Sequence, residues 1–199
     1  MKLLNLLAVT IALFGVGLVR TQAVIVVNVG DYDLLPDTLG QVITINVSGV
    51  SGLAGLDFFI QVGDGFPDGG GTVDGPNVTN VDIQTGTLFD GNTPGQSALL
   101  GGPQARARFI TTGTGTVSGS GLLATATLDT TGFTALQTWD LKLTGTINGD
   151  TTFNNDLGDP LAATIVNGSI TVVPEPAAGV VVASLLLAGG WLLRRKPCA

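Results

Sequence analysis

Gly40-Gln-Val-Ile-Thr-Ile-Asn-Val-Ser-Gly49 and, a few residues on, Gly55-Leu-Asp-Phe-Phe-Ile-Gln-Val62 decide the fold. In the first stretch Ile43, Ile45 and Val47 recur at every second position; in the second Leu56, Phe58, Ile60 and Val62 do the same. A period of two is that of a strand with one buried face, because successive side chains of a strand point to opposite sides. Working outward, Leu122, Ala124, Ala126 and Leu128 share a face. So do Trp139, Leu141 and Leu143, with Thr138, Asp140, Lys142 and Thr144 on the opposite side. Val24 to Val29, Val78 to Ile83, Ala105 to Thr111 and Ile165 to Val173 bring the count to about eight strands, with no amphipathic helix between them. Gly, Asn, Asp and Pro punctuate the runs. The expectation is an all-β, antiparallel jelly-roll β-sandwich over residues 24–173, a length suited to one domain.

Composition excludes several functions. Residues 24–173 carry fourteen aspartates against Arg106, Arg108 and Lys142, a balance of −11. Such a surface repels nucleic acid and anionic lipid. The chain has no histidine, its one cysteine is Cys198 and its one glutamate is Glu175, so this segment has no disulfide, no histidine-assisted nucleophile and no usual zinc ligand set. Paired aspartates could perform glycoside hydrolysis, but nothing in the sequence singles out a pair. The protein reads as a non-enzyme.

Asp64, Asp68 and Asp74 lie in a glycine-rich loop, where short carboxylates and flexible backbone can converge on a calcium ion. Asp150, Asn154, Asn155, Asp156 and Asp159 form a second such cluster. Turn chemistry is the stronger reading of both, and neither has the EF-hand spacing. Trp139 and Phe58 fall in phase with buried stripes, leaving Tyr32, Phe59 and Phe66 as candidate exposed aromatics and no flat aromatic platform for crystalline polysaccharide. The threonines at Thr112, Thr114, Thr116, Thr125 and Thr127 repeat at no fixed period and read as ordinary strand and turn residues.

The two ends address the chain to export. Lys2, the apolar stretch Leu3 to Val19 and Thr21-Gln22-Ala23 describe a secretory signal over residues 1–23, cleaved after Ala23. Residues 174–199 form a three-part tail: Pro174-Glu175-Pro176, the apolar run Ala177 to Leu193, and Arg194-Arg195-Lys196. As a helix that run spans about 25 Å, slightly less than the ~30 Å hydrocarbon core, and the basic residues make up the difference by snorkelling. The positive-inside rule keeps Arg194, Arg195 and Lys196 cytoplasmic and puts Pro174-Glu175-Pro176 on the outer side in extended backbone. An uncleaved anchor is the plain alternative to a processed tail.

This tail resembles the PEP-CTERM sorting signal of Gram-negative and related bacteria. The resemblance implies an exosortase-type membrane protease as partner, transient anchoring in the inner membrane, and delivery to the cell surface, outer membrane or an exopolysaccharide matrix. Between the ends, Gly40 to Gly49, Gly52-Leu-Ala-Gly-Leu-Asp-Phe58, Gly121-Leu-Leu-Ala-Thr-Ala-Thr-Leu128 and Val166-Asn-Gly-Ser-Ile-Thr-Val172 resemble, in order, the landmarks of a cohesin module. Cohesins and family 3 carbohydrate-binding modules share a nine-strand jelly roll, so the resemblance implies that fold. The expected function is that of a non-enzymatic cell-surface or matrix protein. The alternative is a specific binding module for a dockerin-type protein or a polysaccharide.

Overall fold

The alternating stretches fold into twelve strands in two packed sheets, and among the described residues there is no helix. The computed structural model describes residues 24–67, 69–134 and 136–174. The strands are β1 (Ile25–Asn28), β2 (Asp31–Leu34), β3 (Gln41–Leu53), β4 (Gly55–Val62), β5 (Asn77–Asp82), β6 (Leu100–Gly101), β7 (Ala105–Thr111), β8 (Val117–Asp129), β9 (Gln137–Lys142), β10 (Thr152–Asn154), β11 (Ala163–Val166) and β12 (Gly168–Val172). One sheet runs β11-β1-β3-β8-β5; the other runs β2-β12-β9-β4-β7-β6, with β10 paired to β4. The inward residues Ile43, Ile45, Val47, Leu56, Phe58, Ile60 and Val62 are buried as their alternation requires. Each such burial is worth about 1.5–3 kcal/mol.

Three expectations need correction. The sandwich is not wholly antiparallel, because β1 pairs parallel with β11 and β2 pairs parallel with β12. The first and last segments of the chain run side by side and cross together from one sheet to the other, at Gly30 and at Asn167-Gly168. There Ser169 N–H donates to the Gly30 carbonyl, and a Cβ on Gly168 would overlap that carbonyl. For the same reason the stretch Ile165 to Val173 is two strands in different sheets. Finally, Leu122 does not share a face with Ala124: Ile45 pairs with Ala124 and Asn46 with Leu122, so Leu123 is the extra residue of a bulge and is the one buried.

The register gives the sandwich two poles. Ile25, Leu53, Thr111 and Ala162 gather at one; Leu34, Gln41, Gln137 and Val172 at the other, where Val173 N–H donates to Leu34 and the chain leaves the sandwich. The connection between β5 and β7 closes one flank, with Phe89 fully buried beneath it. Trp139 is a core residue, as its phase requires. Its Nε1 donates to the Asp74 carbonyl at 2.9 Å and its ring meets Phe133 edge-on at 5.2 Å.

Candidate binding cleft

The outer face of the larger sheet is set by the β10-β4-β7 register. Directly opposed residues share a face, so Asn154, Gly55 and Thr111 form one row across it and Thr152, Asp57 and Phe109 the next. Gly55 makes the first row low in the middle; a Cβ there would come within 3.7 Å of Asn154 and 3.8 Å of Thr111. Two loops raise the sides. The turn Thr112 to Gly115 is pinned by Asn92, whose Oδ1 accepts from Thr114 N–H and whose Nδ2 donates to the Thr114 carbonyl. The turn from Asn155 to Gly158 is closed by Asn155 Oδ1, which accepts from Leu157 and Asp159 N–H at 2.9 and 2.8 Å. Between them lies a cleft of about 650 Å³.

Its chemistry is that of an acceptor beside an aromatic ring. Asp57 Oδ2 accepts from Thr152 Oγ1 at 3.1 Å and Asn154 Nδ2 at 3.4 Å. Asp57 Oδ1 accepts no hydrogen bond from the described residues. Phe109 forms one wall and meets Phe59 edge-on at 5.9 Å. Among the described residues no basic side chain lines the cleft. It therefore suits a ligand that donates hydrogen bonds to a carboxylate and lays hydrocarbon on phenylalanine. Nearer the other pole this face is roofed by the β9–β10 connection, where Ile147 N–H donates to Gln61 Oε1 and Gly149 packs on Phe59. Phe59 and Phe66 are accordingly half-buried.

The calcium candidates point elsewhere. Asp64 accepts from Phe66, Thr72 and Val73 N–H, and the Thr72 and Val73 bonds hold its carboxyl below the usual carboxylate value. Asp74 Oδ1 accepts from Gln104 Nε2 at 2.6 Å. Asp68 lies outside the described residues, and among those described no cluster of three acidic or cysteine side chains is placed to hold a metal. Of the second cluster, Asn154, Asn155 and Asp156 line the cleft, while Asp150 accepts from Gly145 N–H. Pro174 is described and exposed; Ala23, Glu175, Pro176, the apolar run, Arg194, Arg195 and Lys196 lie outside the described residues. Asp57 was not anticipated as a site residue. Its signal is a carboxylate between Leu56 and Phe58 on a strand, where no turn needs it.

No family model and no curated protein matches the sequence. Solved structures do. The sixth cohesin of Acetivibrio cellulolyticus scaffoldin B, in complex with a Cel5 dockerin, superposes with a TM-score of 0.54 at 17% identity, covering 76% of this chain and 99% of that one. The fold is cohesin-like. A non-cellulosomal cohesin from the archaeon Archaeoglobus fulgidus gives a TM-score of 0.57 at 14% identity, covering 79% of this chain and 97% of that one. A type I cohesin–dockerin complex from Clostridium thermocellum gives 0.55 at 12% identity, covering 77% and 96%. The cohesin-like sandwich therefore accounts for nearly the whole of each matched domain.

Proposed function

We propose that the cohesin-like sandwich is an exported, non-catalytic binding module whose cleft at Asp57 receives a protein partner of the dockerin type. The observation that carries this reading is the free Asp57 oxygen beside Phe109, at the pole opposite the one from which Val173 leads into the tail. Until that tail is processed, a module tethered through it holds its cleft outward. The solution of two of the similar cohesins with dockerins bound supports the choice of partner class. Delivery follows from the ends: secretion with cleavage after Ala23, then sorting by Pro174-Glu175-Pro176 through an exosortase-type protease. A polysaccharide ligand is the second reading, favoured by the hydroxyl and amide groups of Thr112, Thr114, Asn154 and Asn155 around the cleft. A third role, as a general matrix component, needs no cleft.

Titrating residues 24–173 with a panel of purified dockerin domains, and in parallel with isolated exopolysaccharide, separates these readings. Saturable binding of a dockerin, weakened about tenfold or more by Asp57→Ala, is expected, since truncating a central polar anchor costs on the order of 2 kcal/mol. Retention by glycan alone, with the same sensitivity to Asp57, moves the cleft to the polysaccharide reading. Binding indifferent to Asp57 removes the cleft from either.

A further inference from the structure

Single exposed leucines are ordinary, but the place of the most exposed ones is informative. Among the described residues the large apolar side chains with the greatest exposure are Leu136 at 82%, Leu157 at 81% and Leu39 at 71%. Leu157 tops the turn beside the cleft, at one pole. Leu39 and Leu136 belong to the other, where Leu35 and Val42 are exposed too. The turns that carry them are bound to each other and to the last strand. Thr130 N–H donates to the Thr38 carbonyl at 3.0 Å, Gly132 N–H to Asp37 Oδ1 at 3.0 Å, and Leu136 N–H to the Val172 carbonyl at 2.6 Å. Leu136 also has a φ of 69°, in the left-handed region that a leucine enters at a cost and a glycine does not. That cost gains no burial: the side chain is held out of the sandwich in one fixed place.

Val172 ends β12, and the chain leaves the sandwich at this same pole. Only Pro174, Glu175 and Pro176 separate Val173 from the apolar run Ala177 to Leu193. At ~3.5 Å per residue the chain from Val173 to Ala177 reaches at most about 14 Å, and the headgroup layer takes up about 6 Å of that. We propose that this pole is a membrane-contact surface, with Leu39 and Leu136 seated in the headgroup region of the bilayer that holds the chain's own apolar run. The proposal rests on the reading of that run as a membrane span. The tether names the occupant, because the chain itself brings no other surface so close to these leucines.

Charge narrows the lipid. Asp33, Asp37 and Asp129 lie at this pole, and residues 35–40 and 129–136 include no lysine or arginine, so an anionic leaflet repels it and a zwitterionic one does not. Interfacial apolar groups settle about 5–10 Å into the boundary between headgroups and acyl chains, within reach of leucines already held at the surface. Free in solution, two leucines bind lipid weakly; the tether supplies the local concentration that sustains the contact. Its consequence is a fixed height. Pro174-Glu175-Pro176 is kept between the sandwich and the leaflet instead of swinging on a loose stalk, and the cleft at Asp57 faces away.

The test uses residues 24–199 in phosphatidylcholine vesicles, with Cys198→Ser and one fluorescent dye on a single introduced cysteine: Leu39→Cys, Leu136→Cys, Leu157→Cys or Leu185→Cys. Nitroxide-bearing lipid should quench the dye at 185, within the apolar run, and at 39 and 136, but leave it bright at 157. The dye is as apolar at 157 as at 136, so the difference reports position. Leu39→Gln, at an exposed site, should weaken the quenching at 136 without changing that at 185, and so should anionic lipid in the vesicles. Quenching at 185, with 39 and 136 as bright as 157, overturns the proposal and leaves the span intact. A dye at 185 that stays bright removes the span and the contact with it. All twelve strands and the whole described core lie within residues 24–173, so that segment serves as the lipid-free comparison. If it already shields 39 and 136 from iodide, a protein surface covers the pole and the proposal falls as well.

Discussion

Two aspartates, one on β4 and one in the loop that follows it, meet opposite fates, and the difference lies in what their neighbours donate. Asp64 spends its carboxylate on the backbone of its own loop, accepting from Thr72 and Val73 N–H; Asp57 Oδ1 has no donor among the described residues. Sequence reading favoured Asp64 because glycine surrounds it, yet glycine loops supply free N–H groups as readily as cation sites. Asp57 was passed over because the signal was an odd residue in a strand, which only cross-strand register turns into a cleft. Asp64→Ala is expected to speed hydrogen exchange at the Thr72 and Val73 amides. Because the folded state lowers the Asp64 pKa, its stabilisation of the loop is complete at neutral pH and is lost as pH falls through that lowered value. Exchange measured across the acid range should show this loss in the native protein and not in the variant. Asp82 behaves alike: burial pushes its carboxyl up, but Thr85 and Gln84 N–H together hold it below the usual value. With Asp64 so engaged, the melting temperature is expected to be the same in millimolar calcium and in chelator at matched ionic strength. A rise in calcium would mean that the loop gives up those donors to bind the ion.

Two strands were legible to the residue: β4 and β7 have the bounds that Gly55 to Val62 and Ala105 to Thr111 describe. Where the sheet breaks period, the sequence misleads. The bulge at Leu123 exchanges which leucine is buried, and β2, Asp-Tyr-Asp-Leu, reads as a loop because its outward positions are carboxylates. β10 is too short to show a period, with Phe153 its only buried residue. The division of β11 from β12 is visible only through Gly168, whose need for a bare Cα comes from a carbonyl far away in sequence. Gly168→Ala is therefore expected to cost at least about 3 kcal/mol in chemical denaturation, since the overlap is with backbone and cannot be relieved by a rotamer. Phe58→Ala, at a fully buried position of β4, should cost about 3–5 kcal/mol through the cavity it leaves. A smaller loss at Gly168 than at an exposed glycine such as Gly132 would show that the crossing can spread apart.

For the molecule as a whole, the sorting reading predicts that protein recovered from the native cell surface lacks Ala177 to Ala199, which intact-mass measurement decides. Glu175→Ala should leave export unaffected and hold the protein in the inner membrane; normal surface delivery of that variant would reduce Glu175 to a turn residue. The same layout of ends governs how the sandwich bears force. Its first strands lie parallel to its last, and Val24 and Val173 emerge at opposite poles. Drawing them apart slides β1 along β11 and β2 along β12, so the hydrogen bonds of each ladder must yield together. Handles at residues 24 and 162, which are neighbours at one pole, would instead peel β1 away one bond at a time. Single-molecule pulling should record a clearly higher rupture force from handles at residues 24 and 173 than from the 24/162 pair. Loaded between Val24 and Val173, a sandwich with this wiring resists most strongly along the line joining its two poles.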